Sequence, residues 1–197
     1  LDRTLKQSLL ELNAMFPVIM VTGPRQVGKS TLLQACAQDQ NVKLNYVTLD
    51  DYNARDLAVN DPALFLQQWP APVIIDEIQY APGLLSAIKV EVDRHKKPGM
   101  YWLAGSQKFA LMKGVTESLA GRVGLLDLLG LSQAELTGRA DVSKPFVPDS
   151  SIALKSTTKK DHASALQALY KRIWLGAFPQ LNRLGPGARD SFYRSYV

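Results

Sequence analysis

The 197 residues suffice for one domain with a real core, or one domain and the start of another, and 46% apolar with 21% charged residues is an ordinary globular balance. No apolar run approaches the roughly 20 residues that span a bilayer, and charges scattered through residues 1–13 argue against a signal peptide, so no membrane partner is expected. The net charge of +5 is uneven: residues 1–140 hold fourteen Lys/Arg and fourteen Asp/Glu, whereas residues 141–197 hold nine Lys/Arg against four Asp.

Residues 2–14 put Leu5, Leu9 and Leu12 on one helical stripe, which Pro17 ends. The run VIMVT, from Val18, is continuously apolar and stops at a glycine, the pattern of a strand buried in a parallel sheet. Helical spacing returns over 29–38. There the single cysteine, Cys36, shares the apolar side with Leu32 and Leu33. One cysteine allows no intrachain disulfide, and a buried, inert thiol in a reducing cytoplasm fits.

A second strand over 42–50 ends in Asp50 and Asp51, read as turn formers or as acids near a metal. Asp61-Pro62 supplies an N-cap and a first helical residue, opening a helix to about Trp69 that Pro70 and Pro72 stop. VIID, ending at Asp76, is a third strand. A helix over 82–96 turns Leu84, Leu85, Ile88 and Val92 inward and ends in cations that suit its dipole. MYWLA over 100–104 is a fourth strand, a short helix near 108–120 follows, and VGLLDLLGL from Val123 is a fifth strand. SQAE, Ser132 to Glu135, is a capping box opening another helix.

Residues 143–160, with two prolines and four serines, read as a linker or insertion. Residues 161–174 are helical again, with Leu166, Leu169 and Ile173 on one face. The chain starts without Met and ends on an amphipathic pattern with no stop signal, which reads as a cut. Its basic last stretch suits an anionic partner such as nucleic acid, unless an acidic remainder balances it.

Between the first strand and the next helix, Gly23, Gly28, Lys29 and Ser30 fit G-x-x-x-x-G-K-[ST]. The glycines let backbone N–H groups wrap an anion, and the helix adds its positive dipole end. Lys29 reaches the β- and γ-phosphates, and Ser30 offers a hydroxyl to Mg²⁺. The nucleotide-binding set is therefore Gly23, Pro24, Arg25, Gln26, Val27, Gly28, Lys29, Ser30 and Thr31, with ATP and Mg²⁺ as cofactors. Arg25 could touch phosphate or a neighbour. About 50 residues on, at the end of an apolar strand, Asp76 can hold Mg²⁺ through water, and Glu77 can polarise the attacking water.

The segments TGPRQVGKSTL, LDD, DEIQ, LAGSQKFALM, ESLAGRVGLLDLLGLSQAEL, GAFPQL and FYRSYV cover nearly all of the chain. Together they resemble the AAA+ superfamily, and more narrowly prokaryotic predicted ATPases whose AAA+-like core precedes a C-terminal domain of unknown function. That resemblance implies a γ-phosphate sensor after the fourth strand, at Ser106 or else Gln107. It also implies an arginine finger at Arg122, which would act on a neighbour's ATP and so call for a homo-oligomer. Lys29, Glu77, Ser106 and Arg122 make up the catalytic set. No lid arginine can be placed.

The fold expected is α/β: a P-loop NTPase with a five-stranded parallel sheet in the order 5-1-4-3-2, flanked by helices and AAA+-like, then a mostly helical start of a second domain. The order is expected from needing the third strand, with its acid, next to the first. Residues 1–140 form the ATPase core, 141–160 the linker or insertion, and 161–197 the start of a truncated C-terminal domain. The function expected is Mg²⁺-dependent attack of water on the γ-phosphate of ATP, driving or gating a partner or the C-terminal domain. The alternatives are a nucleotide-gated binding module with negligible turnover and a small-molecule kinase. His95 and His162 have no metal-ligand spacing.

Overall fold

The computed structural model describes residues 2–40, 44–106, 115, 117–140 and 162–196. They divide into two compact units, one of Arg3–Leu129 and one of Gly130–Val197 together with Leu1–Asp2. The expected linker over 143–160, residue Gln107 and most of the helix near 108–120 lie outside the described residues.

The first unit holds helix α1 (Leu5–Met15), strand β1 (Val18–Thr22), α2 (Lys29–Asp39), β2 (Asn45–Thr48), α3 (Tyr52–Asn60), α4 (Pro62–Gln68) and β3 (Val73–Asp76). A single 3₁₀ turn (Ile78–Tyr80), α5 (Leu84–His95), β4 (Tyr101–Gly105) and β5 (Val123–Asp127) complete it. The five strands are parallel, in the order β2-β3-β4-β1-β5. Every residue of β1, β3 and β4 is buried, whereas the edge strands β2 and β5 are partly exposed. This is why the three inner strands read as unbroken apolar runs: helices cover both faces of a parallel sheet.

The order is the expected one, but β3 is not the neighbour of β1. Strand β4 lies between them. The gap is closed by α2, which packs against both β4 and β3 and so carries Ser30 across to the end of β3.

Local chemistry sets the element ends. Phe16 donates its N–H back to the Leu12 carbonyl as α1 stops, and the Trp102 indole donates to Asn13 Oδ1 at 2.7 Å, tying that helix to β4. Helix α3 is a departure from the sequence reading. Asp51, read there as a turn former, accepts the Ala54 N–H at 2.8 Å and caps a helix that buries Ala54 and Ala58. Such a cap contributes about 1 kcal/mol. The apolar stripe of α3 is short and made of small residues, so periodicity alone did not mark it. Asp61 caps α4 as expected, accepting the Leu64 N–H at 2.9 Å.

The second unit is helical where described: α6 (Gln133–Leu136), α7 (His162–Leu175), α8 (Pro179–Leu184) and α9 (Arg189–Tyr196), with a 3₁₀ turn at Pro186–Ala188. The capping box forms, with Glu135 accepting the Ser132 N–H at 2.7 Å and Ser132 Oγ accepting the Glu135 N–H at 3.2 Å. Phe178, Phe192, Tyr193 and Tyr196 pack ring on ring. Arg189 lies 4.7 Å from the Trp174 ring and 5.0 Å from the Tyr193 ring. The expected apolar face of α7 is present, but Leu166, Leu169 and Ile173 are all exposed.

Candidate nucleotide site

In a parallel sheet all strands end at one edge, and ligands bind in the crevice beyond those ends. Here the loop after β1, the turn after β3 and the residue after β4 meet at that edge. The loop needs glycine at two points. Gly23 sits at φ 144°, and a Cβ there would stand 2.0 Å from the Leu128 carbonyl oxygen. Gly28, at φ 94°, is the left-handed residue immediately before α2. Gln26 also takes a positive φ, 62°. Pro24, Arg25 and Gln26 are exposed on the loop, Val27 is buried beneath it, and Thr31 is exposed on the first turn of α2.

Lys29 is only 5% exposed. Its ammonium donates to the carbonyls of Gly23 (3.1 Å) and Pro24 (2.8 Å). Burial pulls its pKa below the ordinary 10.5, against the opposing pull of Glu77 and Asp76, while Arg25 adds to the lowering. A desolvated cation wrapped by its own loop attracts an anion more strongly than one in open water.

Ser30 Oγ donates to Asp76 Oδ2 at 2.5 Å. The same carboxylate oxygen accepts the Tyr46 hydroxyl at 3.1 Å, and Oδ1 accepts the Glu77 N–H at 3.0 Å. Burial first, then the charge of Asp76, push the Tyr46 phenol up to about 12, so it stays a donor. A serine hydroxyl and a carboxylate are the hard oxygen donors Mg²⁺ takes, with phosphate oxygens and water completing its shell. The residues present therefore fit the ion: Ser30 and Asp76 would hold it.

Glu77 follows in a left-handed conformation, φ 55°. Its Oε2 accepts from the Gln79 amide and from Ser106 Oγ, the latter at 3.3 Å. Glu77 and Ser106, read separately from the sequence, are thus brought into one cluster with Gln79.

Arg122 is not in this cluster. It immediately precedes β5 at the opposite edge of the sheet, where its carbonyl accepts the Val18 N–H at 3.2 Å. Its guanidinium forks onto Asp93 of α5, at 2.6 and 3.0 Å. That pairing holds the Asp93 carboxyl below its ordinary range and the Arg122 guanidinium above its own. A cavity of about 570 Å³ bordered by Asn13, Pro72, His95 and Tyr101 also lies at that far edge and shares no residue with the loop.

Three site residues escaped the sequence reading. Gln79 stood inside DEIQ without a role, although a polar side chain two residues after an acid pair was a usable signal. Tyr46 sits on an edge strand, and only its pairing with Ile74 reveals that it points along Asp76's strand. Arg3 donates to the Val27 carbonyl at 2.9 Å and the Leu129 carbonyl at 2.6 Å, bracing the loop against the segment after β5. No local pattern marks that contact, which spans 126 residues.

Loop, sheet order and acid pair define an α/β protein of the P-loop NTPase class. The chain belongs to the AAA domain family: the family model of that description matches residues 15–137. Uncharacterized proteins of Mycobacterium tuberculosis and Mycobacterium bovis are each 36% identical over 125 residues, 63% of this chain and 27% of theirs. The chain thus spans about a quarter of the length of those relatives. Among solved structures, the Walker-type ATPase of Pyrococcus abyssi overlaps 68% of this chain and 55% of its own, at 18% identity and TM-score 0.48. The Thermotoga maritima RuvB Holliday junction branch migration motor overlaps 68% of this chain and 46% of its own, at 20% identity and TM-score 0.44. Among the described residues no helix is long and apolar enough to cross a membrane.

Proposed function

We propose that this chain binds ATP with Mg²⁺ on the loop of residues 23–30 and hydrolyses it. The observation that carries the reading is the meeting of three strand ends on one spot: a buried Lys29, Ser30 on Asp76, and Glu77 beside Ser106. Lys29 and the loop backbone hold the phosphates, and Glu77 accepts a proton from water aimed at the γ-phosphorus. Ser106 reads the γ-phosphate. Mg²⁺, when bound, supplies neutralisation of the phosphate charge.

As functional parts, residues 1–140 are the ATPase core, supported by the family match ending at 137. Residues 141–160 are the connection, and 161–197 open a C-terminal domain that nucleotide state drives or gates. The basic stretch 141–197 would face nucleic acid or another anionic partner, and Arg122 a neighbour's ATP in a homo-oligomer. The lone buried Cys36, its thiol pushed up to about 11 by burial, fits a cytoplasmic protein.

The test is ATP calorimetry and steady-state phosphate release on the parent and on Lys29→Ala. Parent binding and turnover that both vanish in the variant support the reading. Equal affinity in the two removes the site.

A further inference from the structure

The turn after β3 does more than deliver Glu77. Glu77 adopts left-handed backbone, which a side chain other than glycine's rarely takes, and the 3₁₀ turn Ile78–Tyr80 follows immediately. Ile78 is fully buried and anchors that turn in the core. The result folds the Gln79 side chain back over Glu77 and across to the end of β4. Its amide nitrogen donates to Glu77 Oε2 and to Ser106 Oγ, the latter at 3.2 Å. Its amide oxygen accepts the Ser106 N–H at 3.3 Å. Every polar atom of the side chain is thereby engaged, and all of it between the ends of β3 and β4.

We propose that Gln79 is a positioning residue for hydrolysis: its amide locks the Glu77 carboxylate and the Ser106 hydroxyl into one unit, so that base and γ-phosphate sensor move together. The proposal rests on the ATPase reading above.

The chemistry explains why an amide serves here. Glu77 Oε2 takes both donors, from Gln79 and Ser106, which leaves Oε1 to accept a proton. In the reaction the water oxygen bonds to the γ-phosphorus, the bond to the β–γ bridging oxygen breaks, ADP leaves with that electron pair, and the water's proton passes to Glu77. A carboxylate free to rotate at the end of two sp³ carbons would meet that water in only a fraction of its rotamers, and misplacement by an ångström is costly in rate. Serine alone is one donor, at 3.3 Å. Gln79 adds a second donor and, through its oxygen, fixes the backbone that carries the first.

The test compares parent, Gln79→Met and Gln79→Glu in ATP affinity and in kcat. Methionine keeps the stem and removes both polar ends. Glutamate keeps the acceptor for the Ser106 N–H but sets a second carboxylate against Glu77. The expected result is ATP affinity within about twofold of the parent for Gln79→Met, with kcat lower by roughly 10- to 100-fold, and a larger loss in Gln79→Glu. In a Glu77→Gln background, Gln79→Met should cause no further loss. Should Gln79→Met not fold, Gln79→Ala read the same way serves. Parent turnover with kcat unchanged in Gln79→Met overturns the inference and leaves the ATPase reading standing. Parent binding without turnover overturns both. Loss confined to ATP affinity makes Gln79 a binding residue and also overturns it.

Discussion

Ser30 and Asp76, 46 residues apart in sequence, meet through a 2.5 Å hydrogen bond from the serine hydroxyl to Oδ2 of the acid. The contact joins the start of α2 to the end of β3 over an intervening strand. If these two oxygens are the protein's share of a Mg²⁺ shell, Asp76→Asn should weaken only the metal-dependent part of ATP binding. Asparagine still offers an oxygen to Ser30 but no charge to the cation, so a loss of roughly 10- to 100-fold is expected with Mg²⁺. Calorimetry with Mg²⁺ and again with a chelator checks it. Equal losses in both conditions would place Asp76 outside the metal shell.

Lys29→Ala should abolish measurable ATP binding, because it removes the one cation buried inside the loop. The pH dependence has a definite sign. Lys29's pKa lies below 10.5 in the folded protein, chiefly through burial. Between that value and 10.5 the unfolded chain binds more protons than the native one, so nucleotide-free stability rises with pH through this window. The destabilisation from burying the charge is fully present below it. ATP affinity, which needs the ammonium, falls over the same window. Binding at alkaline pH should therefore take up a proton, measurable by calorimetry in two buffers of different ionisation enthalpy.

Glu77→Gln should keep ATP affinity and lose most turnover. A positioned base contributes about 10²–10⁴ in rate, and glutamine is isosteric but does not accept the proton. Phosphate release by Glu77→Gln at the parent's rate would move the base elsewhere.

The loop and the acid pair stand out in the sequence because each is a set of residue types at fixed spacing. The three inner strands were legible because burial on both faces leaves no polar position to confuse the period. The strand order is the expected one, but the third strand does not lie beside the first: β4 separates β1 from β3 and α2 bridges them. What could not be read depends on contacts between distant segments: Arg3 on Val27 and Leu129, and Tyr46 on Asp76. Each joins side chains or carbonyls whose local sequence carries no period or cap. Helix α3 was missed for a different reason, its cap Asp51 lying where a turn acid is equally at home.

The charge split predicts salt-sensitive binding. With nine Lys/Arg against four Asp in residues 141–197, contact with nucleic acid through this stretch should release counterions. The logarithm of affinity should then fall by about 0.7–0.9 per phosphate contacted for each tenfold rise in salt. Titration of a fluorescent oligonucleotide at several salt concentrations reads that slope. Binding that ignores salt, or none at low salt, counts against an anionic partner.

Arg122 should act on a neighbour's ATP and not its own. Val18 pairs with Val123 and Thr22 with Asp127, so Arg122 lies at the far end of β1 from the loop. Four residues of strand at roughly 3.3 Å each put about 13 Å of sheet between them. The side chain is bound to Asp93, but this pair is part-exposed, 33% at Arg122 and 46% at Asp93, and exposed pairs contribute little to stability. A triphosphate carrying several negative charges can therefore outcompete Asp93 for the guanidinium across a subunit interface. An arginine supplied in this way is worth about 10³–10⁵ in rate. Arg122→Ala and Lys29→Ala should each be nearly inactive alone, one without the finger and the other without nucleotide. Mixed, the arginine of the second serves the intact loop of the first, and phosphate release should partly return. If co-assembled subunits stay dead, or Arg122→Ala hydrolyses ATP at the parent's rate, Arg122 is only the structural partner of Asp93.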